Sequence, residues 1–320
     1  YMAQTVAYQH DAVGNLREMT DSISGTHTIP QTATYSWSYD NAYRLLSENV
    51  SASPAPLRET QFDWDAAGNR EEVRRYSGGS LASTTTYKPA SKLNQMTGWS
   101  SGTTNALYVY DANGCREREF INTPSGTKTT EYVYDEESRL TEATLRDTEQ
   151  PKVYSFGYDY RTRRISRSDP AETNVFVFSD GLSIQEYGVP QTSSSLTTDN
   201  LTTESVRTEG YGGGVGGMVY SVRNGQIECS HSNHRGDVVA RTENRGTVSY
   251  FARYYAYGTR FHEIGSTYDR QRANTKDEEE PLGLLNEGVR WRDLEHGVML
   301  QPDPLGYYDG PNRYAYVQNN

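Results

Sequence analysis

The sequence is short of what an ordinary globular core is made from. Phe (7) and Trp (4) are scarce, only 34% of the 320 residues are hydrophobic, and mean hydropathy is -0.84. No run approaches the roughly 18–20 consecutive apolar residues of a membrane span. A basic surplus is also missing: the net charge is -11. That excludes nucleic acid as a ligand, because phosphate binding needs a basic surface. The one basic run, Arg161-Thr162-Arg163-Arg164, reads as a solvated strand face. Two cysteines, Cys115 and Cys229, make no disulfide framework. There is no starting Met, charged n-region or apolar h-region. A chain that opens at Tyr1 inside what reads as a repeat is expected to be a fragment, with any export signal upstream.

Tyrosine is what the chain has in quantity, 26 residues, beside 28 Gly, 12 Pro and many Ser and Thr. An apolar ring with a polar tip suits sheets that are dry on one face and wet on the other. Gly, Ser and Thr favour strands and tight turns over helices. A search for internal repeats finds YQHDAVGNLREMTD from Tyr8, YSWSYDNAYRLLSE from Tyr35 and FDWDAAGNREEVRR from Phe62. The pattern continues as YVYDANGCREREF from Tyr108, YVYDEESRLTEATL from Tyr132 and FGYDYRTRRISRSD from Phe156, with weaker copies from Tyr87 and Phe176. Its aspartates are Asp11, Asp40, Asp65, Asp111, Asp135, Asp159 and Asp180, a period near 24 with length absorbed in loops such as 51–56 and 192–203.

Each copy reads as a β-hairpin. In YVYDANG, Tyr108 and Tyr110 share one sheet face and Val109 takes the other. Asp111 then opens a four-residue turn by accepting backbone N–H groups, and Gly114 closes it. Asp11 with Gly14 and Asp65 with Gly68 repeat the arrangement, while Asp40, Asp135 and Asp159 keep the acid and replace the glycine, for example by Tyr43 or Ser138. Lone hairpins are marginal in water, so the copies must stand side by side in a continuous sheet. The expected class is all-β: repeated antiparallel hairpins forming a spiralling sheet over residues 1–190. A Ser/Thr-rich linker follows at 191–204, and a different unit at 205–320.

That last region opens on the glycine-rich Gly210–Gly217, read as a tight crossover because no Lys or helix pattern follows to make a phosphate loop. Cys229, His231 and His234 lack an evident fourth ligand and straddle a turn, so neither a metal nor a cofactor is expected. Arg235-Gly236-Asp237 reads as turn chemistry in preference to a recognition tripeptide. Asn49 and Asn200 head glycosylation-type triplets that matter only in a eukaryotic secretory setting. Residues 238–261 read as a hairpin turning at Glu243–Gly246, and 266–281, with acidic Asp277–Glu280, as an exposed loop.

The Tyr-x-Tyr-Asp-x-x-Gly-Asn-Leu units resemble the YD repeats of RHS proteins, bacterial toxin-complex C subunits and teneurins. The ending is similar to the RHS-repeat-associated core. It runs through Gly283-Leu284, Arg290 to Asp293, Asp303-Pro304-Leu305-Gly306, Gly310-Pro311-Asn312, Tyr314, Tyr316 and Asn319-Asn320. The resemblance implies a YD-repeat shell or tube closed at one end by an RHS core plug, in a large secreted or cell-surface protein. It implies partners too: a downstream C-terminal toxin or effector domain or further shell repeats, and a secretion-system or cell-surface partner. An adhesion scaffold without cargo is the rival reading. In many members the core is an aspartic autoprotease. Asp303 occupies the matching position, with Asp309 as the nearest second carboxylate and Asp293 as the alternative, although Pro302 stands where many such members have Arg. Asp303 and Asp309 also suit plain turns. On the order of 24 strands at about 4.8 Å would make a strip about 115 Å wide, too short to close a chamber around a folded domain.

Overall fold

The computed structural model describes residues 3–24, 32–52, 55–147, 149–193, 195–208 and 217–320. Its contacts divide the chain into two compact units, Tyr1–Lys128 with Pro302–Asn320, and Thr129–Gln301. The fold is all-β, and the four helical segments among the described residues are single 3₁₀ turns of three residues. No helix is long and apolar enough to cross a membrane.

In the first unit, ten described strands run from Ala3–His10 to Arg116–Thr123, each antiparallel to the next. The pleat alternates as the sequence pattern requires: Thr32–Tyr39 buries every second residue, Ala33, Tyr35 and Trp37. Phe62, Val73, Tyr87 and Tyr108 continue the dry face. Just before each turn the register shifts by one residue, at Ser38/Tyr39 and Asp63/Trp64 for example. That bulge leaves the aromatic preceding the acid aimed differently from the one two residues earlier.

In the second unit twelve strands follow the same rule, from Gly126–Tyr134, most of which lies here, to Arg260–Gly265. A second sheet of four short strands, Glu278–Glu279, Leu284–Asn286, Trp291–Asp293 and Val298–Met299, belongs to this unit. Adjacent residues of an extended strand point opposite ways, and Leu284 and Leu285 show what that achieves. Leu284, Trp291 and Leu300 close a core with Tyr132, Leu140, Tyr154 and Phe156, whereas Leu285, with Leu294 and Ala273, closes another with Val239, Tyr250 and Tyr254.

Several expectations change. The acidic run is no exposed loop: Glu278 and Glu279 are buried strand residues paired with Arg260, Arg164 and Arg167, and only Glu280 is exposed. Carboxylates enter this interior because guanidinium groups await them there. The basic run is not a solvated strand face either. Arg161, Thr162 and Arg163 make a turn, and Arg164 is buried against Asp277 and Glu279. The 191–204 stretch holds the first residues of a paired strand, Leu201–Thr208, because Thr203 and Glu204 find ladder partners in Glu186 and Gln185. The contact division falls at Lys128/Thr129 and sends Pro302–Asn320 to the first unit. The described main ladders total 22 strands, against about 24 expected. The expected crossover at Gly210–Gly217 lies outside the described residues except for Gly217, which opens the strand Gly217–Arg223.

Candidate functional site

One turn recurs along both ladders. At Asp65 the carboxylate Oδ1 accepts the N–H groups of Ala67 (2.8 Å) and Asn69 (2.8 Å), while the Asp65 carbonyl accepts that of Gly68 (3.1 Å). Asp11, Asp40, Asp111, Asp135 and Asp159 do the same work. For Asp40, burial raises the carboxyl pKa, but hydrogen bonds from the Arg44 and Ala42 backbone and the Arg44 guanidinium outweigh it, and the net shift is downward. Ser91 builds the turn with its hydroxyl and Asn233 with its amide oxygen. The Arg235-Gly236-Asp237 tripeptide sits inside the Asn233 turn, and Asp237 is 1% exposed. The fourth turn residue is left-handed throughout, including Tyr43 (φ 63°), Ser138 (61°) and Thr162 (62°). The weak copy at Asp180 is instead a two-residue turn between Ser179 and Leu182.

Neighbouring hairpins are tied by two further bonds that the repeat pattern alone did not disclose. The aromatic just before the first residue of the turn donates its polar tip to a carbonyl of the preceding hairpin. Tyr39 Oη donates to Leu16 O (2.9 Å), Trp64 Nε1 to Leu45 O (2.8 Å), Tyr110 Oη to Met96 O (2.9 Å), Tyr158 Oη to Leu140 O (2.9 Å) and Tyr254 Oη to Val238 O (2.9 Å). Every acceptor lies five residues after the cap of its own turn. Such bonds contribute about 0.5–1.5 kcal/mol each, and they account for Tyr replacing Phe. In the other direction, Arg44 grips Asp40 through Nε (2.7 Å) and donates from Nη1 to Asp65 O (2.6 Å), and Arg139 links Asp135 to Asp159 O in the same way.

The segment Pro302–Asn320 lies across three of these turns within the first unit. Asn312 Nδ2 donates to Asn69 Oδ1 (2.9 Å), Asn94 Nδ2 to Pro311 O (2.8 Å) and Asn319 Nδ2 to Gly68 O (2.8 Å). Tyr314 is buried, donates to Gly114 O (2.7 Å), accepts from Gln95 Nε2 (3.2 Å) and meets the Tyr110 ring edge-on at 5.9 Å. Burial pushes its phenol up to about 12. Gly68 and Gly114 are required twice over here. Their φ values are +82° and +88°, and an added Cβ would come within 2.9 Å of Asn319 Nδ2 or 2.7 Å of Tyr314 Oη. Of the core-motif residues, Pro311, Asn312, Tyr314 and Asn319 therefore carry the docking. Pro304 and Gly306 shape a turn of their own, and Gly310 and Tyr316 flank the contact residues.

Asp303 is another turn cap: its Oδ1 accepts Leu305 N–H (2.9 Å), its carbonyl accepts Gly306 N–H (3.0 Å), and Arg313 Nη2 donates to the same carbonyl (2.9 Å). Asp309 is exposed, lines a cavity of about 230 Å³ with Ala67 and Gly68, and makes no hydrogen bond or ion pair among the described residues. Asp293 lies in the second unit, where its Oδ1 accepts His296 N–H (3.1 Å). His231 bonds Thr242 Oγ1 at 2.9 Å, and no metal-holding group of three side chains exists among the described residues.

Sequence reasoning also missed the charged centre of the second unit. Glu279, 1% exposed, accepts from Arg164 Nη1 (2.9 Å) and from Arg167 Nε and Nη2 (both 2.9 Å). The signal was positional: Arg70, Arg116 and Arg164 stand five residues after their caps, where Leu45 and Leu140 stand in other copies, and all five are buried.

No family model matches the chain. The double-stranded DNA deaminase toxin A of Burkholderia cenocepacia is 25% identical over 340 residues, covering 98% of this chain and 21% of the toxin. A tRNA3(Ser)-specific nuclease, WapA, of Bacillus spizizenii is 28% identical over 287 residues, 87% of this chain and 11% of its own length. In its repeats the chain resembles YD-repeat proteins of the RHS type. Among solved structures, the Photorhabdus luminescens Tc holotoxin pore is similar over 98% of this chain and 20% of its own, with a TM-score of 0.47 at 15% identity. The chain thus spans 21% of the length of the first of these curated relatives and 11% of the second.

Proposed function

We propose that this YD-repeat chain is a wall segment of a larger secreted β-shell that encloses or presents a C-terminal toxin or effector domain. The observation that carries this reading is the docking of Pro302–Asn320 on the Asp65, Ser91 and Asp111 turns. A segment held by three separate turns is a fixed exit point for chain beyond it. The wall itself resists local opening, because each hairpin is bonded to its neighbours through side chains as well as through the ladder. The relatives are named as a toxin and a nuclease, and this chain matches only a small share of each, which fits a carrier part common to different cargoes.

The reading assigns Asp303 a structural role as cap of the final turn. The test is limited proteolysis of the parent protein carrying its native downstream sequence. In the intact protein the downstream domain should resist a protease that digests the same domain made alone. Equal digestion rates would defeat the enclosure.

A further inference from the structure

The second unit holds a cleft of about 340 Å³ whose charge runs against that of the whole chain. Five of its lining residues are cationic, Arg161, Arg163, Arg164, Arg207 and Lys276, and one is acidic, Asp277, in a protein of net charge -11. The cleft is built by the Asp159 turn, the Asp180 turn, the end of Leu201–Thr208 and two loops of the small sheet. Its volume falls in the range of small-molecule sites.

The positive groups are fixed. Arg163 is held by Asp159 Oδ2 (2.7 Å) and by the Asp180 carbonyl, and its guanidinium lies 4.9 Å from the Phe178 ring centre. Arg207 Nε donates to Ser183 O at 2.8 Å. Arg164 spans Asp277 and Glu279. Two cations remain unmatched: Arg161 and Lys276 make no ion pair among the described residues. Asp277 reports the local field. Its burial raises the carboxyl pKa, yet Arg164, Arg270 and Arg207 together bring it down to about 2. Walls of Phe176 and Phe178 keep the dielectric low beside these charges.

We infer that this cleft binds a small multivalent oxyanion of the phosphate or polycarboxylate class, with Arg161 and Lys276 supplying the unmatched charge and Arg163 and Arg207 forming a rigid rim. Guanidinium forks suit both anion types, and pre-organised cations concentrate such ligands without induced movement.

The experiment is calorimetric titration of pyrophosphate and, separately, citrate into the whole chain at fixed ionic strength. The Arg161→Gln, Lys276→Gln double variant is compared with Lys92→Gln, Lys152→Gln, which removes the same charge at exposed positions elsewhere. One-to-one binding should weaken roughly tenfold or more in the cleft variant and stay put in the control, as expected for loss of charge-assisted hydrogen bonds. Stronger pyrophosphate binding assigns the site to phosphates, and stronger citrate binding assigns it to carboxylates. No one-to-one heat with either anion at millimolar concentration, or equal weakening in both variants, overturns the proposal.

Discussion

Gly114→Ala separates the backbone role of the repeat glycine from its role under the C-terminal segment. Gly14 and Gly114 close equivalent turns at φ +96° and +88°, but an added Cβ meets nothing within 4 Å at Gly14 and Tyr314 Oη at 2.7 Å at Gly114. Gly14→Ala should therefore cost only the left-handed penalty of about 1–2 kcal/mol. Gly114→Ala pays that penalty and also displaces a hydroxyl that bonds Gly114 O and Gln95 Nε2. Two hydrogen bonds at about 0.5–1.5 kcal/mol each bring the total to about 2–5 kcal/mol. Tyr314→Phe alone should cost about 1–3 kcal/mol. The double variant should fall short of the sum of the singles by about 1–3 kcal/mol, because both changes remove the same bonds. Urea unfolding gives the energies, and hydrogen exchange over residues 302–320 localises the loss to the docked segment. Equal costs for Gly14→Ala and Gly114→Ala, together with strict additivity, would refute the docking.

Acid should loosen the second unit in a defined window. Asp277 has a folded pKa of about 2, below its ordinary 3.8, so its stabilisation is present at neutral pH and lost as pH falls from about 4 toward 2. Unfolding midpoints across that window should drop, and Asp277→Asn should flatten the dependence. Tyr314 works with the opposite sign. Its folded pKa of about 12 lies above 10.0, so its contribution is full below pH 10 and disappears as pH rises toward 12, and tyrosinate absorbance of Tyr314→Phe should show one fewer late-titrating phenol than the wild type, in which Tyr250 also titrates late. Glu279→Gln leaves Arg164 and Arg167 buried without their shared charge and should destabilise the second unit by about 3–5 kcal/mol in urea. Asp303→Asn in the chain with its native downstream sequence should leave the mass of the product unchanged, and a cut product confined to the wild type would restore the aspartic autoprotease.

What could be read from the sequence was local. An acid followed by glycine three residues later brings the hydrogen bonds that close its turn within four positions, so Asp11, Asp65 and Asp111 identify their turns without help from the rest of the chain. Ser91 and Asn233 escaped because a hydroxyl or an amide oxygen can accept the same N–H groups. The docked segment could not be found this way. Tyr314 and Gln95 are 219 positions apart, Asn312 and Asn69 are 243 apart, and nothing in either short stretch names the other. The acidic run misled for a related reason. A run of Glu normally marks a solvated surface, and only the fold brings Arg164, Arg167 and Arg260 to meet it.

The bond from each of these aromatic tips ends on a main-chain carbonyl, and this has a consequence for how such walls change over generations. Leu16, Leu45, Met96, Leu140 and Val238 all receive the bond equally well, since the accepting oxygen is identical in each. A ribbon can therefore be duplicated, deleted or exchanged without a matching substitution next door. Length is free to drift in steps of one hairpin, while the few positions that clasp the final segment, Asn69, Gln95 and Gly114, stay tied to a single place in the chain.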